Sequence, residues 1–215
     1  VTMRRRTLAE YSSWLGGGPS TAHTFPGYTG LFMSDSRPNI VFIVTDQQRF
    51  DTIGAWGHDH MITPHLDRLA GEGLSFTNAF CPGATCVASR AATFTGMYPH
   101  TTGVYSFDHW ANHRNWVQDL SDAGYFCANI GKMHTFPIRL AAGFEHRTVV
   151  ENKNYQQGHH GPDPDDYDLF LMHHGLKRPA VSYYRTIDDW PDRLQATVWP
   201  HADALYPDNF VGQQT

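Results

Sequence analysis

Asn39-Ile40-Val41-Phe42-Ile43-Val44-Thr45, followed by Asp46-Gln47, is the stretch on which the reading of the fold turns. It is short, unbroken and rich in β-branched residues. Such a run reads as a buried strand, central in a parallel sheet. Downstream, Thr63-Pro64 opens a helix, with Thr63 as cap and Pro64 in the first turn. Leu66, Leu69 and Ala70 form its apolar stripe, and Gly71 or Gly73 ends it. Leu74-Ser75-Phe76-Thr77-Asn78-Ala79-Phe80 alternates as a strand would. Ser89 to Thr95 turns helical, and Trp116, Leu120 and Ala123 make another stripe closed by Gly124. Tyr125 to Ile130 is the next strand. Strands alternating with helices imply an α/β layered domain with a mostly parallel sheet. Sites in such sheets form beyond the carboxyl ends of the strands, where Asp46-Gln47 and Gly131-Lys132 stand.

Composition narrows the function. At roughly 100–200 residues per domain, the 215 residues make one domain, or one domain plus an extension. Hydrophobic residues are 40% and charged residues 17%, enough for a real core and contrary to wholesale disorder. A net charge of -5 gives no basic footprint for nucleic acid. The apolar run Ile40 to Val44 falls far short of the roughly 20 residues a membrane helix needs, so no membrane partner is expected. Cys81, Cys86 and Cys127 cannot all pair and form no Cys-x-x-Cys, which argues against a disulfide framework or a thiolate zinc site. The His groups His58/His60/His65, His159/His160 and His173/His174 read as polar loops and individually bonded imidazoles.

Residues 1–36 differ from the rest. Arg4-Arg5-Arg6 is followed by Gly16-Gly17-Gly18-Pro19 and a Ser/Thr/Gly/Pro-rich stretch. This is expected to be a flexible or non-native extension, with residues 37–215 forming the domain proper. Met33 is the expected natural start, which makes residues 1–32 upstream translated sequence. No apolar segment of a secretory signal follows the basic start, which points to the cytoplasm. Pro162-Asp163-Pro164-Asp165-Asp166-Tyr167-Asp168 lacks the Gly and Glu of an EF-hand and is expected to be a solvated loop. Tyr206-Pro207-Asp208-Asn209 starts a helix, capped by Asp208 or Asn209, that stops within about two turns, so the chain looks cut. Nothing in the sequence indicates an oligomeric state.

The segment richest in chemistry is Cys86-Val87-Ala88-Ser89-Arg90-Ala91-Ala92-Thr93-Phe94-Thr95-Gly96. A Cys at the mouth of a helix faces its positive end. Arg90 lies one turn on along the same face, so the pair suits an oxyanion. Three residues intervene where a thiol-phosphatase loop needs five, which disfavours that mechanism. Taken singly, each candidate has an ordinary reading: Asp46 as a turn residue, Lys132 as a solvated strand end, His134 as a loop imidazole, Cys86 as a small buried hydrophobe. Cys81 and Cys127 keep that last reading, as core residues.

Cys86-x-Ala-x-Arg90 with Thr95-Gly96 resembles the signature of the type I, formylglycine-dependent sulfatases, with Ala88 in place of the usual Pro. Arg37 to Arg49 resembles the family's first strand and metal-binding turn. Thr63 to Ala70 and Gly73 to Ala79 resemble its next helix and strand. Gly131-Lys132-Met133-His134 resembles a Gly-Lys-Trp-His element with Met133 for Trp, and Gly143-Phe144 follows in order. The resemblance covers about residues 37–146. It implies an alkaline-phosphatase-like α/β sandwich, here truncated, and hydrolysis of a small sulfate monoester. It also implies that Cys86 is converted to formylglycine by a maturation enzyme and that the hydrated aldehyde is the nucleophile. Asp46 and Gln47, with the modified Cys86, are implied as ligands of a divalent cation. Their hard oxygens suit Ca2+ first, with Mg2+, Mn2+ or Zn2+ as alternatives. Arg90 is implied to orient the nucleophile, Lys132 to contact substrate oxygens, and His134 to transfer a proton or contact sulfate.

Gln47 stands where many sulfatases carry a second Asp, and Asp-Gln also resembles phosphonate monoester and phosphodiester hydrolases of the same superfamily. A further alternative is a non-catalytic fragment or pseudoenzyme. The family's remaining metal ligands have no match after His134; Trp199-Pro200-His201 does not follow an apolar strand. The 215-residue chain alone is therefore expected to show little hydrolase activity and to expose a sheet edge or apolar face.

Overall fold

A computed structural model describes residues 2–5, 37–106, 109–110, 112–151, 164–179 and 198–215. The chain divides into two compact units, one of residues 1–42 with 114–215 and one of residues 43–113.

The first unit is built on a four-stranded sheet in the order β2-β1-β3-β4. The strands are β1 (Thr2–Arg5), β2 (Ile40–Val41), β3 (Tyr125–Gly131) and β4 (His146–Val149). β1 is antiparallel to β2 and β3, while β3 and β4 are parallel, with Ala128 opposite His146 and Gly131 opposite Val149. Thus β2, β3 and β4 run in one direction, as the α/β reading requires, and β1 alone opposes them. Four residues of the expected flexible extension therefore form a strand; residues 6–36 and Met33 lie outside the described residues. The expected central strand at residues 39–45 is corrected. Only Ile40 and Val41 pair, and β2 ends the sheet because β1 separates it from β3. The run leaves the ladder after Val41, so Val41 and Ile43 stay largely exposed.

β3 alternates as a half-covered strand should, with Tyr125, Cys127, Asn129 and Gly131 buried. The helix before it, here α4 (Trp116–Asp122), starts with a capping box. Asn115 Oδ1 accepts from the backbone N–H groups of Val117 (3.0 Å) and Gln118 (3.2 Å), and Gln118 Oε1 accepts from that of Asn115 (3.0 Å). Asn115 Nδ2 also donates to the Ala142 carbonyl at 3.1 Å. Arg37 donates to Ala123 O and lies over the Tyr125 ring, which ties the entry of β2 to that of β3.

The acidic segment is not a solvated loop. Asp165 and Asp168 are buried and cap α5 (Asp166–His173). Arg178 reaches both, at 2.6 and 2.9 Å, so their charges are compensated; Asp163 lies outside the described residues. Tyr167 and Leu171 of α5 pack with Phe210 of α6 (Pro207–Gln214). Tyr206, not Asp208 or Asn209, holds the cap position of α6, because Pro207 already provides its first residue. This short helix has something to bury after all, at about 1.5–3 kcal/mol for a side chain such as Phe210.

The second unit carries α1 (Pro64–Glu72), α2 (Cys86–Thr95) and α3 (Pro99–Thr102). Thr63 stands at the α1 cap position but makes no cap bond. Its hydroxyl instead accepts from Gly54 N–H and donates to Asp67 Oδ1, both at 2.8 Å. The expected strand at Leu74–Phe80 does not form. Alternation alone is insufficient without a partner strand, and Leu74, Phe76 and Phe80 are exposed. Val87, Ala88, Ala91, Ala92 and Phe94 of α2 are buried, and Phe94 stacks on Trp110 at 5.5 Å. Among the described residues no helix is long and apolar enough to cross a membrane.

Candidate active site

Two of the predicted groups lie in the second unit. Thr85 caps α2, accepting from Ala88 N–H at 3.4 Å and donating to Tyr105 O at 3.2 Å. Cys86 is therefore the first residue of the helix, half-buried, at its positive end. Gly83 lies so close that an added Cβ would sit 2.7 Å from Ala88 Cβ, so the loop before the helix admits no side chain there. One turn after Cys86, Arg90 is buried, and its Nη2 lies 3.6 Å from Asp46 Oδ1. Asp46 is 41% exposed at its side chain, and exposed Gln47 adopts φ 53°. A left-handed non-glycine residue costs on the order of 1–3 kcal/mol and marks a tightly determined turn. Asp46, Gln47, Cys86 and Arg90 thus belong to one unit, with Asp46 beside the residue that shares a helix face with Cys86.

Carboxylate and amide oxygens in an exposed bend, not at the strand end the sequence suggested, fit a hard divalent cation, but they are only part of a shell. Among the described residues no three His, Cys, Asp or Glu side chains cluster to hold a metal. Cys81 is exposed, which corrects its reading as a core residue: it sits in the irregular segment before α2, where its thiol donates to Gly83 O at 3.2 Å. Cys127 is a core residue, and burial pushes its thiol up to about 11.

Lys132 and His134 belong to the first unit, just past β3. The strand's alternation is broken there by Gly131 at φ 106° and His134 at φ 60°. Lys132 is half-buried, and Met133 and His134 are buried. The carboxylate that meets this turn is one that sequence reasoning missed. Glu151, 1% exposed, accepts from the backbone N–H groups of Met133 (3.0 Å) and His134 (2.7 Å) through Oε1. Burial pushes its carboxyl up; the two N–H groups, Arg147 and Lys132 pull the other way. Burial likewise lowers Arg147 to about 10. The available signal was positional: Glu151 follows the apolar end of β4 as Asp46 follows that of the first run.

Sequence comparison agrees with these segments. The sulfatase family model matches residues 38–189. An arylsulfatase of Clostridium perfringens is 31% identical over 186 residues, covering 81% of this chain and 38% of that protein. An N-acetylgalactosamine-6-O-sulfatase of Bacteroides thetaiotaomicron is 34% identical over 192 residues, covering 74% and 34%. Human arylsulfatase A is 44% identical over 68 residues, covering 32% and 13%. The chain thus spans well under half the length of these curated relatives. The family model covers most of the chain, including Asp46, Cys86, Arg90, Lys132 and His134, and the chain belongs to the sulfatase family.

Proposed function

We propose that this chain supplies the nucleophile-bearing part of a sulfatase that hydrolyses a small sulfate monoester. The observation that supports this most is the approach of Asp46 to Arg90 at 3.6 Å. It brings a hard-oxygen donor to the helix face on which Cys86 stands. In this reading a maturation enzyme oxidises Cys86 to formylglycine, for which its half-exposed place at the start of α2 is suited. Asp46 and Gln47 hold a divalent cation, Ca2+ by preference, which when bound polarises sulfuryl oxygens and acidifies the attacking hydroxyl. Thr85 keeps the helix mouth fixed. Arg90 orients the nucleophile and offsets charge developing on the ester oxygens. The family resemblance assigns Lys132 to substrate oxygens and His134 to proton transfer.

Gln47 supports a second reading, hydrolysis of phosphonate monoesters or phosphodiesters, because the Asp46-Gln47 pair resembles that of such hydrolases in the same superfamily. Turnover of an aryl sulfate against an aryl phosphonate by the full-length gene product tests the choice. Preference for the sulfate is expected. Preference for the phosphonate would install the second reading, and activity on neither would overturn both.

A further inference from the structure

We infer that Glu151 is the positioning residue of the Lys132–His134 turn, holding in place the backbone that carries both side chains. The functional consequence rests on the sulfatase reading above; the structural one does not. β3 and β4 pair in parallel up to Gly131 opposite Val149, and Val150 N–H still reaches Gly131 O at 3.4 Å. One residue further, the ladder stops and a side chain replaces it. A single carboxylate oxygen, Glu151 Oε1, takes the successive N–H groups of Met133 and His134. Two adjacent amides can converge on one oxygen only where the backbone curls, which is the way anion-binding nests form. His134 at φ 60° is that curl. A β-carbon-bearing residue keeps such a conformation only where its surroundings over-determine it.

Glu151 is itself pinned. Its N–H donates to Asp165 Oδ2 at 2.8 Å, its carbonyl accepts from Arg178 Nη1, and Asp165 is fully buried at the start of α5. The anchor therefore runs from the cap of α5 through Glu151 to the end of β3. Its Oε2 has no hydrogen-bond partner among the described residues, so its hydrogen bonds there go to this turn alone.

Two arms test the inference. The first needs no activity: NMR-detected amide exchange in the 215-residue chain. Glu151→Ala should speed exchange at Met133 and His134 by roughly 10- to 100-fold, as expected on losing buried hydrogen bonds, while Phe126 and Ala128 within β3 hold. Glu151→Gln keeps a carbonyl acceptor, so protection should largely return. Replacing the carboxyl by an amide should still shift the Met133 and His134 amide protons, which is readable even if the Ala variant fails to fold. Unmoved Met133 and His134 amides in Glu151→Gln would overturn the proposal. The second arm is a double-mutant cycle on aryl sulfate with the full-length gene product. Glu151→Ala should lower kcat by about 100-fold alone and by a clearly smaller factor in a His134→Ala background, where only the placement of Lys132 is left to lose. Equal losses in both backgrounds would mark Glu151 as merely structural and overturn its positioning role. If the amides respond but the wild-type enzyme turns over no sulfate, the sulfatase reading fails and the positioning of the turn stands.

Discussion

Asn115 ties the start of α4 to the loop after β3, and its removal has a calculable cost. Its Oδ1 satisfies two helix N–H groups at 3.0 and 3.2 Å, and its Nδ2 satisfies the Ala142 carbonyl at 3.1 Å, all at 2% exposure. Losing an Asn cap costs about 1 kcal/mol, up to about 2. Stranding a buried carbonyl costs about 1–3 kcal/mol more. Asn115→Ala should therefore destabilise the chain by roughly 2–5 kcal/mol. At about 2–4 °C per kcal/mol for a chain of this size, Tm should fall by roughly 4–20 °C. Asn115→Ser retains an acceptor for the helix but not the donor to Ala142, and should recover only the smaller share. Circular dichroism melts of the three proteins at one pH make the comparison. A fall below about 2 °C in the Ala variant, or full recovery by Ser, would refute this apportioning.

Other outcomes follow from the same geometry. Arg178→Met should destabilise by about 3–5 kcal/mol in urea melts, because it leaves Asp165 and Asp168 buried without their cation; a change under about 1 kcal/mol would contradict the pairing. Glu151 has a folded-state pKa raised above its ordinary 4.5. Its contribution is full below that value and lost as pH rises through the folded-state value. The Tm of Glu151→Gln relative to wild type should therefore climb as pH rises from below 4.5 through the folded-state value; a flat or falling difference would contradict the sign. Alkylation at pH 8 should modify exposed Cys81 first and spare Cys127, whose thiol titrates at about 11, until the chain unfolds; early labelling of Cys127 would be inconsistent.

What the sequence made legible, and what it hid, divides by the range of the interactions. α2 could be read from Ser89 on because its signals are local, small apolar residues followed by Gly96 at φ 70°, while its Thr85 cap and first turn went unread. α4 and β3 were legible for the same reason, with Gly124 between them at φ 86°. Leu74–Phe80 misled because alternation states which face a strand would bury, not whether a partner exists. The 39–45 run misled because its neighbour in the sheet, Thr2–Arg5, comes from a segment whose composition suggests no strand at all. At the candidate site, Asp46, Cys86 and Arg90 were found through short motifs. Glu151, Asp165, Asp168 and Arg178 escaped because their meaning lies in partners up to 27 residues away, such as Arg178 Nη1 on Glu151 O. Read locally, an acidic segment is a solvated loop; with Arg178 and a helix start to hold it, it is buried.

The proposed role of position 86 as the carrier of the nucleophile can be tested chemically. The most direct measurement is a tryptic mass spectrum of the Cys86 peptide, taken from the full-length gene product made alongside a formylglycine-generating enzyme. The aldehyde is expected, trapped by a carbonyl reagent in the wild type and absent from Cys86→Ser. An unmodified thiol at position 86 in protein that nevertheless hydrolyses sulfate esters would contradict it.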